Sequence, residues 1–220
     1  MNTLDVNFLR NETAVFVTGT DTGIGKTHVS CVLLKALRKA GRTVQGMKPV
    51  ASGCAWQFGE WRNEDALALQ QAAQSSAPYA LINPYALPLA TAPQVAAARS
   101  GTVLALKPMA EAFHELSARA DLVLVEGVGG WLAPLSDDLD QSDLVSALKI
   151  PVLLVVGMRL GCINHARLSA LAIEASGCRL LGWIANRVEP DFDAEGDYFA
   201  ALQRSMPTPC LGVVAFGNDL

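Results

Sequence analysis

Charge is scarce in this sequence. Only 17% of its 220 residues are Asp, Glu, Lys or Arg, and the balance is a net −4. No basic stripe is available to neutralise a phosphate backbone, so nucleic acid is not an expected partner. Aromatic residues are few as well, at 6%. The five cysteines (Cys31, Cys54, Cys162, Cys178, Cys210) form no Cys-x-x-Cys pair and no regular framework. With the three scattered histidines (His28, His114, His165) they match no familiar zinc spacing, and reduced, mostly buried thiols are expected. No run reaches about 18 uninterrupted apolar residues, and no apolar core of signal-peptide type is visible. Membrane spanning and export are therefore not expected, and a cytoplasmic location is. Asn11-Glu12-Thr13 fits a glycosylation acceptor, which without secretion is a chance match. There is no internal repeat, low-complexity tract or linker.

What is plentiful is apolar surface, with 51% hydrophobic residues. That suits an α/β protein whose parallel strands are covered by helices on both faces. Residues 1–13 are polar and aperiodic and read as a loose leader. Residues 14–220 read as one domain of alternating strands and helices.

The chain is organised around Gly19-Thr20-Asp21-Thr22-Gly23-Ile24-Gly25-Lys26-Thr27, directly after the apolar run Ala14–Thr18. A buried strand that runs into a Gly-rich turn and then a helix lets successive backbone N–H groups face an anion, the arrangement of a phosphate-binding loop. Lys26 would neutralise outer phosphates and Thr27 would offer a hydroxyl to Mg²⁺. Thr20 stands where the usual spacing has its first Gly.

A second strand over 43–50 carries Lys48 at its carboxyl end, where it either reaches the same phosphates or points to water. Residues 54–62 suggest a semi-ordered loop. Asn63 is a plausible helix cap, and Asp65 behind it is either helix-dipole compensation or a metal ligand. Prolines at 84, 88 and 93 imply an extended loop before short helices ending near Gly101 and Arg119. Asp121–Glu126, followed by Gly127-Val128-Gly129-Gly130, has the form of an apolar strand ending in an acid that could reach the same metal. The acidic run Asp137, Asp138, Asp140 and Asp143 reads as a solvated loop and cap. Strands are expected over 151–158, 180–186 and 211–214. Asn164 is a candidate cap of the helix after the first of these, and Asn186 ends the second, where an amide could read a base edge. A last helix is expected over 191–205.

Taken together, Gly19 to Thr27, Lys48-Pro49-Val50-Ala51-Ser52-Gly53, Asn63-Glu64-Asp65-Ala66, Glu126 to Gly130 and Leu160-Gly161-Cys162-Ile163-Asn164-His165 resemble the dethiobiotin synthetase family over about residues 14–214. The resemblance implies a P-loop NTPase fold and an ATP- and Mg²⁺-dependent closure of 7,8-diaminononanoate and CO₂ into the ureido ring of dethiobiotin. It implies Lys26 and Lys48 as catalytic residues and Thr27, Asp65 and Glu126 on the metal side. Gly23, Ile24, Gly25, Lys26, Thr27 and Asn186 would bind the nucleotide. Thr22, Ser52, Gly127, Val128 and Gly129 would face the substrate. It further implies a homodimer in which Leu160 and Asn164 receive the substrate carboxylate bound in the neighbouring subunit. Gly23 stands where some members carry Glu, Gln94 where a histidine is often found, and Ala215 where proline is common.

A partition- or septum-positioning ATPase would share the fold, but carries a second lysine early in the loop where this chain has Asp21. A P-loop amidoligase would need a glutamine-hydrolysing domain for which the chain has no length.

Overall fold

The computed structural model describes residues 4–192 and 195–217. In chain order its elements are β1 (Ala14–Gly19), α1 (Lys26–Lys39), β2 (Val44–Met47), β3 (Val50–Ser52), β4 (Ala55–Gln57), β5 (Glu60–Arg62), α2 (Glu64–Ala73), α3 (Tyr79–Ile82) and β6 (Tyr85–Leu87). They continue with α4 (Pro93–Ser100), α5 (Leu106–Ser117), β7 (Leu122–Gly130), α6 (Gln141–Leu148), β8 (Val152–Met158), α7 (Cys162–Ala175), β9 (Leu180–Arg187), α8 (Glu195–Ser205) and β10 (Cys210–Val214).

Six strands form one parallel sheet in the order β10-β9-β8-β1-β7-β2. Strands β1, β2 and β8 are buried throughout and the edge strand β10 is mostly half-buried, and alternate side chains serve opposite layers. Val15 and Val17 join Leu33, Leu37 and Leu69 of α1 and α2 on one face. Phe16, Val125, Leu154 and Trp183 meet α5, α7 and α8 on the other. Fully burying one such side chain contributes about 1.5–3 kcal/mol. The chain enters the sheet at β1, builds β2 and β7 to one side, then β8, β9 and β10 to the other. The order therefore reverses at β1, and a crevice opens beyond its carboxyl end, the usual ligand position in open α/β sheets.

Several elements differ from those legible in the sequence. The strand expected over 43–50 is two: β2 stops at Met47, and after Lys48-Pro49 the chain starts β3, which pairs with β6 in a separate two-stranded sheet. Pro49 has no N–H to give a ladder, and the N–H of Lys48 turns to the Ile82 carbonyl at 2.7 Å. The stretch 54–62 is an ordered antiparallel hairpin with Trp56 opposite Trp61. The stretch from Tyr79 to Pro93 contains α3 and β6. α8 begins at Glu195, with positions 193–194 outside the described residues.

The described part of the leader, from Leu4, is not loose. Residues Asn7–Leu9 make a 3₁₀ turn, and Leu4 and Leu9 are buried in the same layer as α1. Arg42 holds them there, donating to the carbonyls of Leu9 (2.7 Å), Glu12 (2.8 Å) and Asp121 (2.9 Å). Positions 1–3 and 218–220 lie outside the described residues.

Candidate functional site: a phosphate loop facing a buried ion pair

β1 delivers the loop to the mouth of the crevice, and the N–H of Thr20 bonds to Val155 of β8 at 3.0 Å. Gly25 is the N-cap of α1 at φ +79°, and no side chain caps the helix. Its first N–H groups are thus left for a ligand. A Cβ at Gly25 would also collide with the side-chain amide of Asn186. Gly23, at φ +74°, faces open space. Ile24 is buried between them.

Lys26 is nearly buried, and its Nζ donates to the Asp21 carbonyl at 2.9 Å. Burial first, and then the charge of Lys48, lower its pKa to about 8.

Across the crevice, Lys48 Nζ donates to Glu126 Oε1 at 2.6 Å and to the Gly127 carbonyl at 3.1 Å. It also lies 3.3 Å from Asp65 Oδ2. Lys48 therefore does not point to water. Burial works against its charge, but Glu126 and then Asp65 outweigh it and hold the amine above its ordinary pKa.

Glu126 is wholly buried. Its Oε1 also accepts the Thr27 hydroxyl at 2.8 Å, while Oε2 has no hydrogen-bond partner among the described residues. An unpartnered buried carboxylate oxygen beside a hydroxyl and a second carboxylate is an oxygen donor set suited to a hard divalent cation. Mg²⁺ typically takes one or two carboxylates and completes its shell with water and phosphate. No cluster of three His, Cys, Asp or Glu side chains occurs among the described residues. Glu126 is not at a strand end, because β7 continues through Gly130 with a register irregularity against β1.

Lys26, Thr27, Lys48 and Asp65 line a cleft of about 580 Å³ with Thr22, Gly23, Gly25, Ser52, Asn63, Val128, Gly129 and Gly130 among its walls, and Glu126 is buried behind Thr27 and Lys48. Gly127 lies beneath it, its carbonyl on Lys48. Asn63 caps α2, its Oδ1 accepting the N–H of Ala66 at 3.2 Å, so Asp65 is both a first-turn acid and a partner of Lys48.

Beyond the loop is a second hollow of about 280 Å³, lined by Gly23, Gly25, His28, Asn186, Arg187 and Val188 with residues 215–217. Asn186 donates to the Ile24 carbonyl at 2.8 Å, which leaves its buried Oδ1 without a partner and available as an acceptor.

Leu160 and Asn164 lie outside the cleft. Leu160 is 80% exposed at the turn before α7. The N-cap there is Gly161, with no side-chain cap, so Asn164 sits in the first turn and caps nothing.

Sequence reasoning missed the groups that support this site. Gln141 is buried. Its Oε1 accepts the N–H of Val128 at 3.1 Å, and its Nε2 donates to the carbonyls of Gly130 and, at 3.1 Å, Trp131. Asn83 donates to the Lys48 carbonyl at 2.6 Å, and Tyr79 joins Asn83 Oδ1 to the N–H of Asn63. Nothing in the sequence marks these residues apart from a polar side chain at the edge of an apolar pattern.

A strand, a glycine-rich turn, a helix-borne Lys26-Thr27 pair and a carboxylate on the neighbouring strand define a P-loop nucleotide-binding protein. The family model described as AAA domain matches residues 13–220. Among solved structures, the chain is similar to the MinC:MinD cell division protein complex of Aquifex aeolicus (TM-score 0.55, 16% identity, 93% of this chain and 82% of that one). It is also similar to a ParA family ATPase from Chlorobium tepidum TLS (TM-score 0.55, 12% identity, 94% and 86%). At such identities the likeness is one of fold.

Within that class the chain belongs to the ATP-dependent dethiobiotin synthetase family. It is 57% identical over 199 residues to ATP-dependent dethiobiotin synthetase BioD of Xylella fastidiosa (strain 9a5c), covering 90% of this chain and 88% of that protein. It is 56% identical over 206 residues to the protein of the same name from Xanthomonas oryzae pv. oryzae (strain PXO99A), covering 94% and 92%.

Proposed function

We propose that this protein uses ATP to close 7,8-diaminononanoate and CO₂ into dethiobiotin, releasing ADP and phosphate, as a step of biotin biosynthesis. The observation that carries the reading is the convergence of Lys26, Thr27 and Lys48 on one cleft, with Glu126 buried behind them and bonded to both Thr27 and Lys48, in a chain of this family.

A carbamate formed on one amine is a weak anionic nucleophile that must approach a polyanion. Its oxygen bonds to the γ-phosphorus as the bond to ADP breaks. The second amine then attacks the carbamoyl carbon, phosphate leaves with the C–O bond electrons, and the amine proton is lost. Neutralising charge along this path matters more than covalent help. Lys26 turns from the Asp21 carbonyl to the phosphates, and Lys48 turns part of its charge from Glu126 toward the attacking carbamate. Thr27, Asp65 and Glu126 would hold Mg²⁺, which supplies charge neutralisation to the triphosphate. Thr22, Ser52, Val128 and Gly129 line the cleft where the diamine would lie, and Gly127 would support that wall from behind, its carbonyl on Lys48. The free acceptor Oδ1 of Asn186 suits the exocyclic amine of adenine.

The diamine's carboxylate would reach Leu160 and Asn164 of a second copy, since in their own chain these residues lie outside the cleft. The working unit would then be a homodimer with shared sites. The substrates are small metabolites, and no helix among the described residues is long and apolar enough to cross a membrane. A cytoplasmic setting fits this reading.

The test supplies purified protein with ATP, Mg²⁺, labelled bicarbonate and 7,8-diaminononanoate. Labelled dethiobiotin should form in step with ADP and phosphate. ATP turnover indifferent to the diamine, with no label in a ring product, would sink the proposal.

A further inference from the structure

Asp21 is a carboxylate inside a loop built to receive an anion. One of its oxygens accepts the N–H of Thr22 at 2.7 Å, which removes a donor from the loop. Its backbone carbonyl holds Lys26 Nζ at 2.9 Å, so the residue sits against the amine meant for phosphate. Uncompensated, it would repel a bound triphosphate from within.

Its other carboxylate oxygen meets the Arg159 guanidinium at 2.5 Å, the only ion pair Asp21 makes among the described residues. Arg159 follows directly on β8, the strand beside β1, and its carbonyl accepts the N–H of Cys162 where α7 begins. It does not line the cleft.

We infer that Arg159 is a positioning residue for nucleotide binding: its guanidinium cancels the charge of Asp21 and fixes the phosphate loop against the start of α7. The inference rests on the ATP-dependent reading above. Both side chains are more than a third exposed, so as a contribution to folding the pair is worth little. Its weight lies elsewhere, because a ligand carrying several negative charges multiplies the effect of one uncancelled charge close by.

The experiment titrates Mg-ATP directly into wild type, Arg159→Ala, Arg159→Lys and the double variant Asp21→Asn/Arg159→Ala. KM for ATP and kcat are measured in parallel. Arg159→Ala should weaken ATP binding about tenfold and move KM far more than kcat. Arg159→Lys keeps the charge and should stay within about threefold of wild type. Removing the charge of Asp21 in the alanine background should restore affinity to within about threefold of wild type, because the introduced amide keeps an acceptor for the Thr22 N–H and carries no charge. The defect of Arg159→Ala should also shrink at high salt.

An Arg159→Ala protein that binds ATP as wild type does would reduce the pair to a surface contact and overturn the inference. A defect that persists in the double variant would overturn it too, since Arg159 would then be touching the ligand itself. Wild type that fails to bind ATP would take the functional reading down with it. Wild type that makes product beside an undisturbed Arg159→Ala removes this inference alone.

Discussion

Lys26 has a weakened hold on its proton. Its pKa of about 8 lies below the ordinary 10.5 because burial, and then Lys48, disfavour the charged form. Carrying the charge therefore opposes folding in full below pH 8, and this penalty fades as pH rises from about 8 to 10.5. The group's own contribution to stability increases across that window. If Lys26 pairs with triphosphate as proposed, affinity for the nucleotide runs the other way, since a neutral amine must take up a proton to pair with phosphate. Titrations of Mg-ATP between about pH 7 and 9.5, in buffers of different ionisation heat, should show proton uptake on binding that grows above pH 8, with weakening affinity. Flat affinity and no proton uptake would contradict this.

Lys48 differs in kind, because its partner is wholly buried. Lys48→Ala should abolish ring closure and also destabilise the fold by about 3–5 kcal/mol, as Glu126 loses its counter-charge in the interior. Lys48→Met/Glu126→Gln should recover much of that stability and none of the activity. Denaturant melts beside product assays separate the two effects.

Lys48, Thr27 and Glu126 are legible in the sequence because each belongs to a local pattern, beside or within an apolar run or at a helix start. Gln141, Asn83, Tyr79 and Arg159 are not, since each acts on a group far away in the chain and no periodicity records such a contact. Asn164 shows the reverse case. Its type suits a cap, but the helix has its N-cap three residues earlier, at Gly161.

At the scale of elements, the parallel strands are the readable part, since continuous apolar runs such as Val152–Met158 have few other destinations in an α/β chain. The small sheet is harder to read. β3 and β6 are three residues each, and their pairing follows from the break at Lys48-Pro49, which only the folded chain reveals. The β4–β5 hairpin hides for a different reason. Its turn places Phe58 at φ +53° and Gly59 at φ +84°, a left-handed pair for which Asn-Gly is the usual choice and a bulky aromatic is not. Phe58 is also 89% exposed, so it gains little from burial. Phe58→Asn should therefore raise stability by roughly 0.5–1 kcal/mol, read as a higher midpoint in thermal or denaturant melts. An unchanged or lowered midpoint would show that the stacking of Arg62 over the Phe58 ring outweighs the backbone strain.

For the whole molecule, the decisive question is whether one chain makes a complete site. The cleft gathers the phosphate loop, Lys48 and the glycine strand but not Leu160 or Asn164, which are exposed, as are Leu168 and Leu171 further along α7. If two copies share sites as proposed, an inactive Lys26→Gln protein mixed and exchanged with an inactive Asn164→Ala protein should regain activity. Random pairing makes half the dimers mixed, each with one intact site, so the recovered rate should approach about a quarter of wild type. No recovery after demonstrated subunit exchange would mean that each chain works alone.

The clasp formed by Arg42 bears on how much of the chain the layer around α1 needs. The family match opens at residue 13, yet Leu4 and Leu9 are inside, 7% and 0% exposed, and Arg42 ties their segment to Asp121 at the amino end of β7. A border drawn from likeness alone would run through the hydrophobic interior. It would strip two leucines from the layer that packs against α1, the helix that carries Lys26 and Thr27. Leu4, nine residues before the family match opens, is packed in the same layer as α1.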